Sequence, residues 1–325
     1  MREPERRAVY MAPPAEVQDT FATARRRPIM FGQTHPRGLM SHSVFHLAAP
    51  VSRSSCAVFS SPHSGRDYAS AFPEPPRLAP EQLRSSEDAF VDELFGDVPG
   101  FGAPLIAARM PRAFVDLNRA PDDLDPALIS GASRRFLNPR IAAGLGVIPR
   151  VVAEGRAIVE GKLPLAEAQR RIAGFYHPYH ARLRGLLDES RARFGLAILY
   201  DCHSMPHDAL AAATSVRGRR PDVVLGDRFG AACDRWLTDA ATEIFTAAGF
   251  VVARNTPFAG GHITQAYGRP GAATQALQIE IDRSLYMNEA RIEKLPGFDE
   301  IRARLARAAG ELCRLGPRAL PIAAE

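Results

Sequence analysis

The chain has 325 residues, of which 46% are hydrophobic, and it carries a formal charge of +5 at neutral pH. This length and apolar content suffice for one large α/β domain or two smaller domains. No run approaches the roughly 18 apolar residues that span a bilayer, and the first 40 residues lack the apolar segment of a secretory signal. We therefore expect a cytoplasmic protein with no membrane partner.

The positive charge does not by itself indicate a nucleic-acid partner. Residues 1–40 contain seven arginines and four acids, so they account for +3 of the charge and the rest of the chain is nearly neutral. The only lysines are Lys162 and Lys294, which is typical of a compositional bias toward arginine. No basic block interleaved with aromatic residues follows residue 40, so we expect no nucleic-acid binding.

Short apolar runs alternate with amphipathic segments along most of the chain. Residues 1–40, with scattered prolines and no sustained period, predict a disordered basic tail, and residues 41–325 predict a single domain. Strands are predicted at 56–60, 104–108, 113–117, 196–200, 221–226, 250–254 and 276–281, and helices at 86–95 (with Ser85 or Ser86 as N-cap), 164–194, 229–248 and 298–314. This alternation predicts an α/β sandwich with a mainly parallel or mixed central sheet.

The four cysteines indicate reduced thiols rather than disulfides or a zinc ribbon. They show no C-x-x-C pair and no spacing typical of a structural zinc site: Cys56, Cys202, Cys233 and Cys313. Cys202 precedes His203, but an apolar filler is the preferred interpretation over a nucleophile.

Polar groups follow the first and third predicted strands. In SSPHSG (60–65) a tight turn presents His63, although a lone histidine at a strand end is more often a hydrogen-bonded structural residue than a ligand. In VDLNR, Asn118 and Arg119 follow an apolar run. The planar guanidinium suits a carboxylate, and a surface salt bridge is the alternative.

Two later strands also carry polar side chains where they approach their ends. Asp201 and His203 are two residues apart, so they share one side of a strand that continues that far. A histidine beside a carboxylate is typical of a metal ligand with its orienting partner, and a hydrogen-bonded turn is the alternative. Gln278, Glu280 and Asp282 alternate with apolar residues, which makes Glu280 a candidate general base if this face lines a cleft.

Taken together, these strand ends supply the groups that a zinc-dependent amide hydrolase needs. Such an enzyme requires metal ligands, a carboxylate that moves protons and a cation that holds an anionic substrate. His177 and His180 have a spacing that can bind metal on a helix. The intervening Pro178 and the neighbouring aromatic residues favour packing over a second metal site.

Eight ordered motifs resemble one known family. They are SSPHSG, SEDAFVDELF, PRAFVDLNR, FYHPYHARL, YDCHSMP, PDVVLGDRFG, GGHITQAYG and ALQIEIDRSLYM, and the likeness around them extends from about residue 55 to 315. This pattern resembles the N-formylglutamate amidohydrolase family. The resemblance implies a three-layer α/β sandwich with a central mixed sheet, like that of zinc carboxypeptidases. It also implies one catalytic Zn²⁺ and hydrolysis of N-formyl-L-glutamate to formate and glutamate.

The resemblance also implies roles for particular residues. His63 and His203 are expected to be zinc ligands, Glu280 the general base and acid, and Asn118 with Arg119 the pair that holds the substrate carboxylate.

One position departs from the wider carboxypeptidase-like pattern His-x-x-Glu. Its acidic position is occupied here by Arg66, so the acidic ligand must come from elsewhere. Asp88 is the preferred candidate, and Glu87 and Asp67 remain alternatives.

Further substrate contacts are expected around this site. Arg112 is expected to assist the clamp or polarise the carbonyl, and Arg283 and Tyr286 follow the strand that carries Glu280. The glycines of AGGHITQAYG predict a loop that closes on the site, with His262 facing the substrate.

Several functions remain open from the sequence alone. The same fold also suits another N-acyl amino acid deacylase, a small carboxypeptidase or a catalytically inactive binding homologue. The acyl group, the amino acid side chain and the pathway are not determined, and the chain is compatible with a homo-oligomer.

Overall fold

The computed structural model describes residues 44–74, 76–133, 138–212, 215–216 and 218–316. The predicted tail at 1–40 lies outside these residues. The strands are β1 Phe45–Ala48, β2 Ala57–Ser61, β3 Leu105–Ala108, β4 Ile129–Ser130, β5 Leu163–Pro164, β6 Ala197–Met205, β7 Val223–Gly226, β8 Val252–Arg254, β9 Thr274–Asp282, β10 Met287–Asn288 and β11 Glu293–Lys294.

The helices differ widely in length. The α-helices are α1 Tyr68–Ala71, α2 Pro80–Arg84, α3 Val91–Leu94, α4 Pro139–Ala142, α5 Leu165–Arg171, α6 His177–Phe194, α7 Arg235–Ala247, α8 His262–Tyr267 and α9 Phe298–Arg314. A π-helical turn at Ile172–Tyr176 joins α5 to α6, so the predicted helix at 164–194 is confirmed. None of the helices in the described residues is both long and apolar enough to cross a bilayer.

Within the described ranges, seven strands form one mixed sheet in the order β1-β3-β2-β6-β9-β7-β8. The four inner strands β3, β2, β6 and β9 are parallel to one another, whereas β1 pairs with β3 and β7 pairs with β9 in antiparallel fashion. Helices cover both faces, so the predicted α/β sandwich with a mixed central sheet is confirmed.

Strand β6 shows why both faces of the sheet are buried. Ala197 and Leu199 pack in one apolar core with α6, and Ile198, Tyr200 and Cys202 pack in the other core with α7 and α9. This is the period of two that a strand imposes on its side chains. Cys202 is fully buried, and all four cysteines are free thiols.

Two predicted elements are wrong. The predicted helix at 86–95 is helical only at Val91–Leu94, because Phe90 has a left-handed backbone (φ 66°) and Asp88 N donates to His63 O instead of continuing a helix. Ser85 lies at the end of α2 and caps no following helix. The predicted strand at 113–117 is a buried turn, in which Asp116 N donates to Val147 O.

Candidate active site

The parallel pair β6 and β9 carries the central polar groups. Its register places Asp201 opposite Gln278 and His203 opposite Glu280. Both strands are longer than the apolar runs that predicted them, because Asp201 and His203 continue β6 rather than follow it. Since the neighbouring apolar residues of each strand point into the α7–α9 core, these four side chains share the opposite face of the sheet.

His63 and Asp88 reach the same place from loops. His63 follows β2, and its carbonyl accepts a hydrogen bond from Asp88 N (3.0 Å), which ties the two loops together. Asp88 Oδ2 lies 2.9 Å from His203 Nδ1 and 3.4 Å from His63 Nδ1. The structure therefore brings His63, Asp88 and His203 into one buried cluster whose ligand atoms lie within 4.8 Å of one another.

Each imidazole also has a carboxylate on its other ring nitrogen. His63 Nε2 lies 2.8 Å from Asp116 Oδ1, and His203 Nε2 lies 3.0 Å from Asp201 Oδ2. Asp201 thus lies where an orienting partner was predicted. Asp116 was missed in the sequence, although an acid inside an otherwise apolar run was a visible signal.

The charges around the cluster are strongly coupled. Burial opposes ionisation of Asp88, but His203 and His63 outweigh it and hold the pKa of this carboxyl well below its usual range. Burial likewise opposes ionisation of Asp116, and Arg112, His63 and Arg119 together hold its pKa well below the usual range. Asp88 and Asp116 are therefore ionised at neutral pH beside the two imidazoles.

The alternative acids lie outside this cluster. Glu87 is buried, but it accepts hydrogen bonds from Arg84 (3.0 and 3.1 Å) and Tyr68 (3.0 Å). Asp67 accepts from Arg109 (3.0 Å) and from Ser70 N at the start of α1. Arg66 points away and pairs with Asp92. Of the acids considered in the sequence, Asp88 alone lies beside both histidines in the described part of the chain.

Glu280 occupies the same cavity and is supported by a short relay. Gln278 Nε2 donates to Glu280 Oε1 (2.8 Å), and Gln278 Oε1 accepts from Gly261 N (2.7 Å). Burial and the charge of Asp88 raise the pKa of Glu280 to about 7, against the opposing effect of His203 and two arginines. Both protonation states of this carboxyl are therefore accessible near neutral pH.

The cavity has a volume of about 690 Å³, and Asn118 and Arg119 form part of its wall. Asn118 is already engaged within the protein, since its Oδ1 accepts from Ile263 N (2.7 Å) and its Nδ2 lies 3.1 Å from His203 Nε2. A Cβ at Gly261 would lie 2.4 Å from Asn118 Nδ2, so a residue without a side chain is required there. Arg119 donates to two carbonyls, Leu145 O and Asn118 O, both at 2.9 Å.

Two further arginines face the cavity and are paired with carboxylates of the site. Arg112 Nε donates to Asp116 Oδ2 (3.0 Å). Arg283 Nη2 donates to Asp88 Oδ1 (2.9 Å), and its Nε donates to Ser204 Oγ (3.2 Å). Arg283 therefore orients Asp88, in addition to the substrate contact expected for it.

Two residues predicted to touch the substrate lie elsewhere. Tyr286 is fully buried, and its hydroxyl donates to Ala89 O (3.0 Å) in the loop that carries Asp88. His262 begins α8 and is absent from the cavity lining, and its Nε2 lies 3.1 Å from Tyr176 Oη. The loop at 259–261 does line the cavity, as expected for the glycine-rich motif.

Helix α6 and the π turn before it support the turn that carries Asn118 and Arg119. His180 Nε2 donates to Leu117 O (2.9 Å), and Tyr176 Oη donates to Arg119 O (2.9 Å). His180 is buried and His177 is exposed, which agrees with packing rather than a second metal site. The preceding π turn accommodates Pro178, which has no N–H for a regular helix.

Two features of the cluster of His63, Asp88 and His203 are compatible with a bound metal ion. The first is its set of donor atoms, and the second is a buried ring nitrogen that lacks a hydrogen bond. His63 Nδ1 is buried and has no hydrogen-bond partner among the described residues, although it faces Asp88. Metal-binding histidines commonly donate their other ring N–H to a carboxylate, which is what Asp116 and Asp201 provide.

Comparison with known proteins agrees with this geometry. The sequence profile described as N-formylglutamate amidohydrolase matches residues 55–287. The chain belongs to the N-formylglutamate amidohydrolase family. The predicted family is thereby confirmed, and so, at the level of the family, is the prediction of an amide-bond hydrolase.

Individual members of the N-formylglutamate amidohydrolase family match over most of their length. N-formylglutamate deformylases of Pseudomonas putida and Pseudomonas aeruginosa are 35% and 34% identical over 218 residues, which is 64% of this chain and 74% of each relative. The crystal structure of N-formylglutamate amidohydrolase from Ralstonia eutropha JMP134 superposes with a TM-score of 0.76 at 36% identity. That superposition covers 84% of this chain and 99% of the other.

Proposed function

We propose that this protein is a zinc-dependent amidohydrolase that converts N-formyl-L-glutamate into formate and L-glutamate. The relatives named for this substrate support the reaction. The observation that carries the proposal is the convergence of two imidazole Nδ1 atoms on Asp88 in a cavity that also contains Glu280.

The metal would be held by His63 Nδ1, His203 Nδ1 and the carboxylate of Asp88. Two imidazoles and one carboxylate are a usual ligand set for catalytic zinc, which leaves a position open for other ligands. Zinc at such a site activates water and withdraws charge from a carbonyl oxygen. Asp116 and Asp201 fix the ring orientations by accepting from Nε2 of His63 and His203, and Arg283 holds Asp88 from the other side.

Glu280 moves the proton. A carboxyl with a pKa of about 7 is ionised often enough to accept a proton from the attacking water and acidic enough to release it again. It passes this proton to the amide nitrogen as the C–N bond breaks, so that the amine of glutamate leaves and formate remains. Gln278 fixes the carboxyl by donating to its Oε1.

The arginines bind and orient the anionic substrate. Arg119 has its guanidinium positioned by two carbonyls, which leaves donors for a substrate carboxylate. Arg112 is positioned by Asp116 and is assigned to the developing charge on the carbonyl oxygen. Asn118 joins this clamp indirectly, since its Oδ1 accepts from Ile263 N in α8 and its Nδ2 donates to Asp201 Oδ2 (3.4 Å), the carboxylate that orients His203.

The test is release of formate from N-formyl-L-glutamate by the purified protein. We expect turnover that a chelator abolishes and that Zn²⁺ restores. N-acetyl-L-glutamate and a glutamate-containing dipeptide, assayed in parallel, separate a deformylase from a general deacylase or a carboxypeptidase. Chelator-resistant turnover would contradict the zinc assignment, and faster hydrolysis of either comparator would contradict the formyl preference.

A further inference from the structure

Four arginines of the described residues line the cavity, and their partners divide them into two kinds. Arg112 and Arg283 each donate to a carboxylate of the site at 3.0 and 2.9 Å. Arg119 has its closest carboxylate contact at 3.9 Å, to Asp116, and donates to backbone carbonyls instead. Arg140 is exposed at the cavity wall, and its side chain has no carboxylate partner among the described residues. Two guanidiniums are thus available to anions that enter the cavity.

The backbone around Arg140 is fixed although its side chain is exposed. Arg140 lies in α4, where Asn138 caps the helix through Ile141 N (2.9 Å) and donates to Asp123 (3.1 Å). Ile141 is buried in the core beneath this turn. The position from which the guanidinium extends is therefore set by the fold.

Leu145 connects Arg140 to Arg119. Its N–H donates to Arg140 O (2.8 Å), and its carbonyl accepts from Arg119 Nε (2.9 Å). Burial lowers the pKa of Arg119, and the nearby charges of Arg112 and Arg140 lower it further despite Asp116. Ala143 and Leu145 line the cavity beside the two arginines, which provides apolar surface for methylene groups.

We propose that Arg140 recognises the side-chain carboxylate of the substrate, while Arg119 holds the carboxylate on the α-carbon. This assignment rests on the proposed function, because N-formylglutamate carries two carboxylates joined by a short apolar chain. Among the described residues that line the cavity, the only acid besides Asp88 and Glu280 is Glu154, and it is paired with Arg156 rather than with Arg140. Selectivity for an acidic side chain then comes from a single turn outside the metal cluster.

The experiment compares N-formyl-L-glutamate with N-formyl-L-glutamine, which has the same length and a neutral side chain. In Arg140→Gln we expect kcat/KM for N-formyl-L-glutamate, divided by kcat/KM for N-formyl-L-glutamine, to fall about tenfold. This is the effect of one charge-assisted hydrogen bond at an exposed site. The loss should come from KM for the acidic substrate, with the glutamine substrate unchanged within about twofold. Arg140→Lys should retain part of the preference for the acidic substrate, because lysine keeps the positive charge.

Arg191→Gln is the matched control, since Arg191 is exposed on α6, pairs with Asp188 and does not line the cavity. It changes the net charge equally and should leave the ratio at the wild-type value. An unchanged ratio in Arg140→Gln, or an equal loss for both substrates with an unaltered Tm, would overturn the assignment. Failure of the wild type to release formate from N-formyl-L-glutamate would instead overturn the proposed function.

Discussion

The candidate site consists of two halves that the fold holds in different ways. The strand half comprises Asp201, His203, Gln278 and Glu280, and its geometry follows from the parallel register of β6 and β9. The loop half comprises His63, Asp88 and residues 116–119, which lie in turns after β2, before α3 and after β3. The register of two central strands fixes the first half directly, whereas the second depends on hydrogen bonds between distant segments.

Those hydrogen bonds come from several directions. Asp88 N donates to His63 O, Tyr176 and His180 donate to carbonyls of residues 116–119, and Ile263 N donates to Asn118 Oδ1. Each contact contributes about 0.5–1.5 kcal/mol, so loss of one shifts the loop half without unfolding the sheet. Substitutions that lower activity by displacing a site residue, without removing its functional group, should therefore be concentrated in the loop half.

The largest effect is expected from Glu280→Gln in the strand half. The substituted amide keeps the size and the contact with Gln278 but cannot carry the proton, so kcat should fall by about 10²–10⁴-fold. KM and bound zinc should remain near their wild-type values, because the strand register is unchanged. Formate release and metal content check both points, and normal turnover in this variant would exclude Glu280 as the base.

At low pH, protonation of His180, which supports the loop half, should lower the free energy of unfolding. Burial lowers the pKa of this histidine to about 4, below its ordinary value of about 6.5, so the unfolded chain binds the proton first. Stability is therefore complete above about pH 6.5 and is lost as the pH falls toward 4, by about 3 kcal/mol from this group.

Urea unfolding of wild type and His180→Gln at several pH values measures this effect. The amide of glutamine can donate to Leu117 O and accept from Tyr267 Oη without titrating. The unfolding free energy of the wild type, measured relative to that of His180→Gln, should fall by about 3 kcal/mol between pH 7 and pH 4. A difference that stays constant with pH would mean that His180 does not titrate as expected.

Asp116→Asn and Asp201→Asn compare equivalent partners in the two halves. Each removes the charge behind one imidazole and should cost about 10–100-fold in zinc affinity or kcat/KM. The loss should be greater for Asp116→Asn, because Asp116 also holds Arg112 and accepts from Asn118 N (2.8 Å). Zinc retention during dialysis and kcat/KM provide the ranking, and a greater loss in Asp201→Asn would contradict the weaker support of the loop half.

The smallest effect is expected from Tyr176→Phe. Removal of the hydroxyl releases Arg119 O, so KM should rise about three- to tenfold with little change in kcat. Tyr200→Phe is the matched control, since its hydroxyl contacts Leu312 O on the opposite face of the sheet. Equal KM values in the two variants would show that Tyr176 has no positioning role.

The two halves also differ in how well the sequence predicted them. Alternation in YDCHSMP and LQIEID correctly separated Cys202 from Asp201 and His203, because period two is a local property of a strand. The apolar run at 113–117 was misread as a strand, since burial in a turn leaves the same composition. Its bonds to Val147 and His180 join segments distant in the sequence, which no local pattern reveals.

The segment around Asp88 also shows that local sequence patterns fail where distant contacts determine the structure. The segment SEDAFVDELF is rich in helix formers, yet only its last turn is helical, because tertiary contacts at Asp88 and Phe90 override the propensity. Asp88 was still the preferred acid, on the basis of the family resemblance. No role was predicted for Asp116, and Tyr176 was assigned to packing alone, because their partners, His63 and Arg119, become neighbours only through folding.

The alternation of β6 also limits how the protein can evolve. An insertion of one residue before Tyr200 would turn His203 into the α7–α9 core and Cys202 into the cavity. The apolar packing of the core and the histidine of the site would then both be lost. The turn at 139–145 carries Arg140 on a four-residue helix and joins no strand of the main sheet. Substrate range can thus diverge among descendants by changes in this turn while the strand stays constant in length.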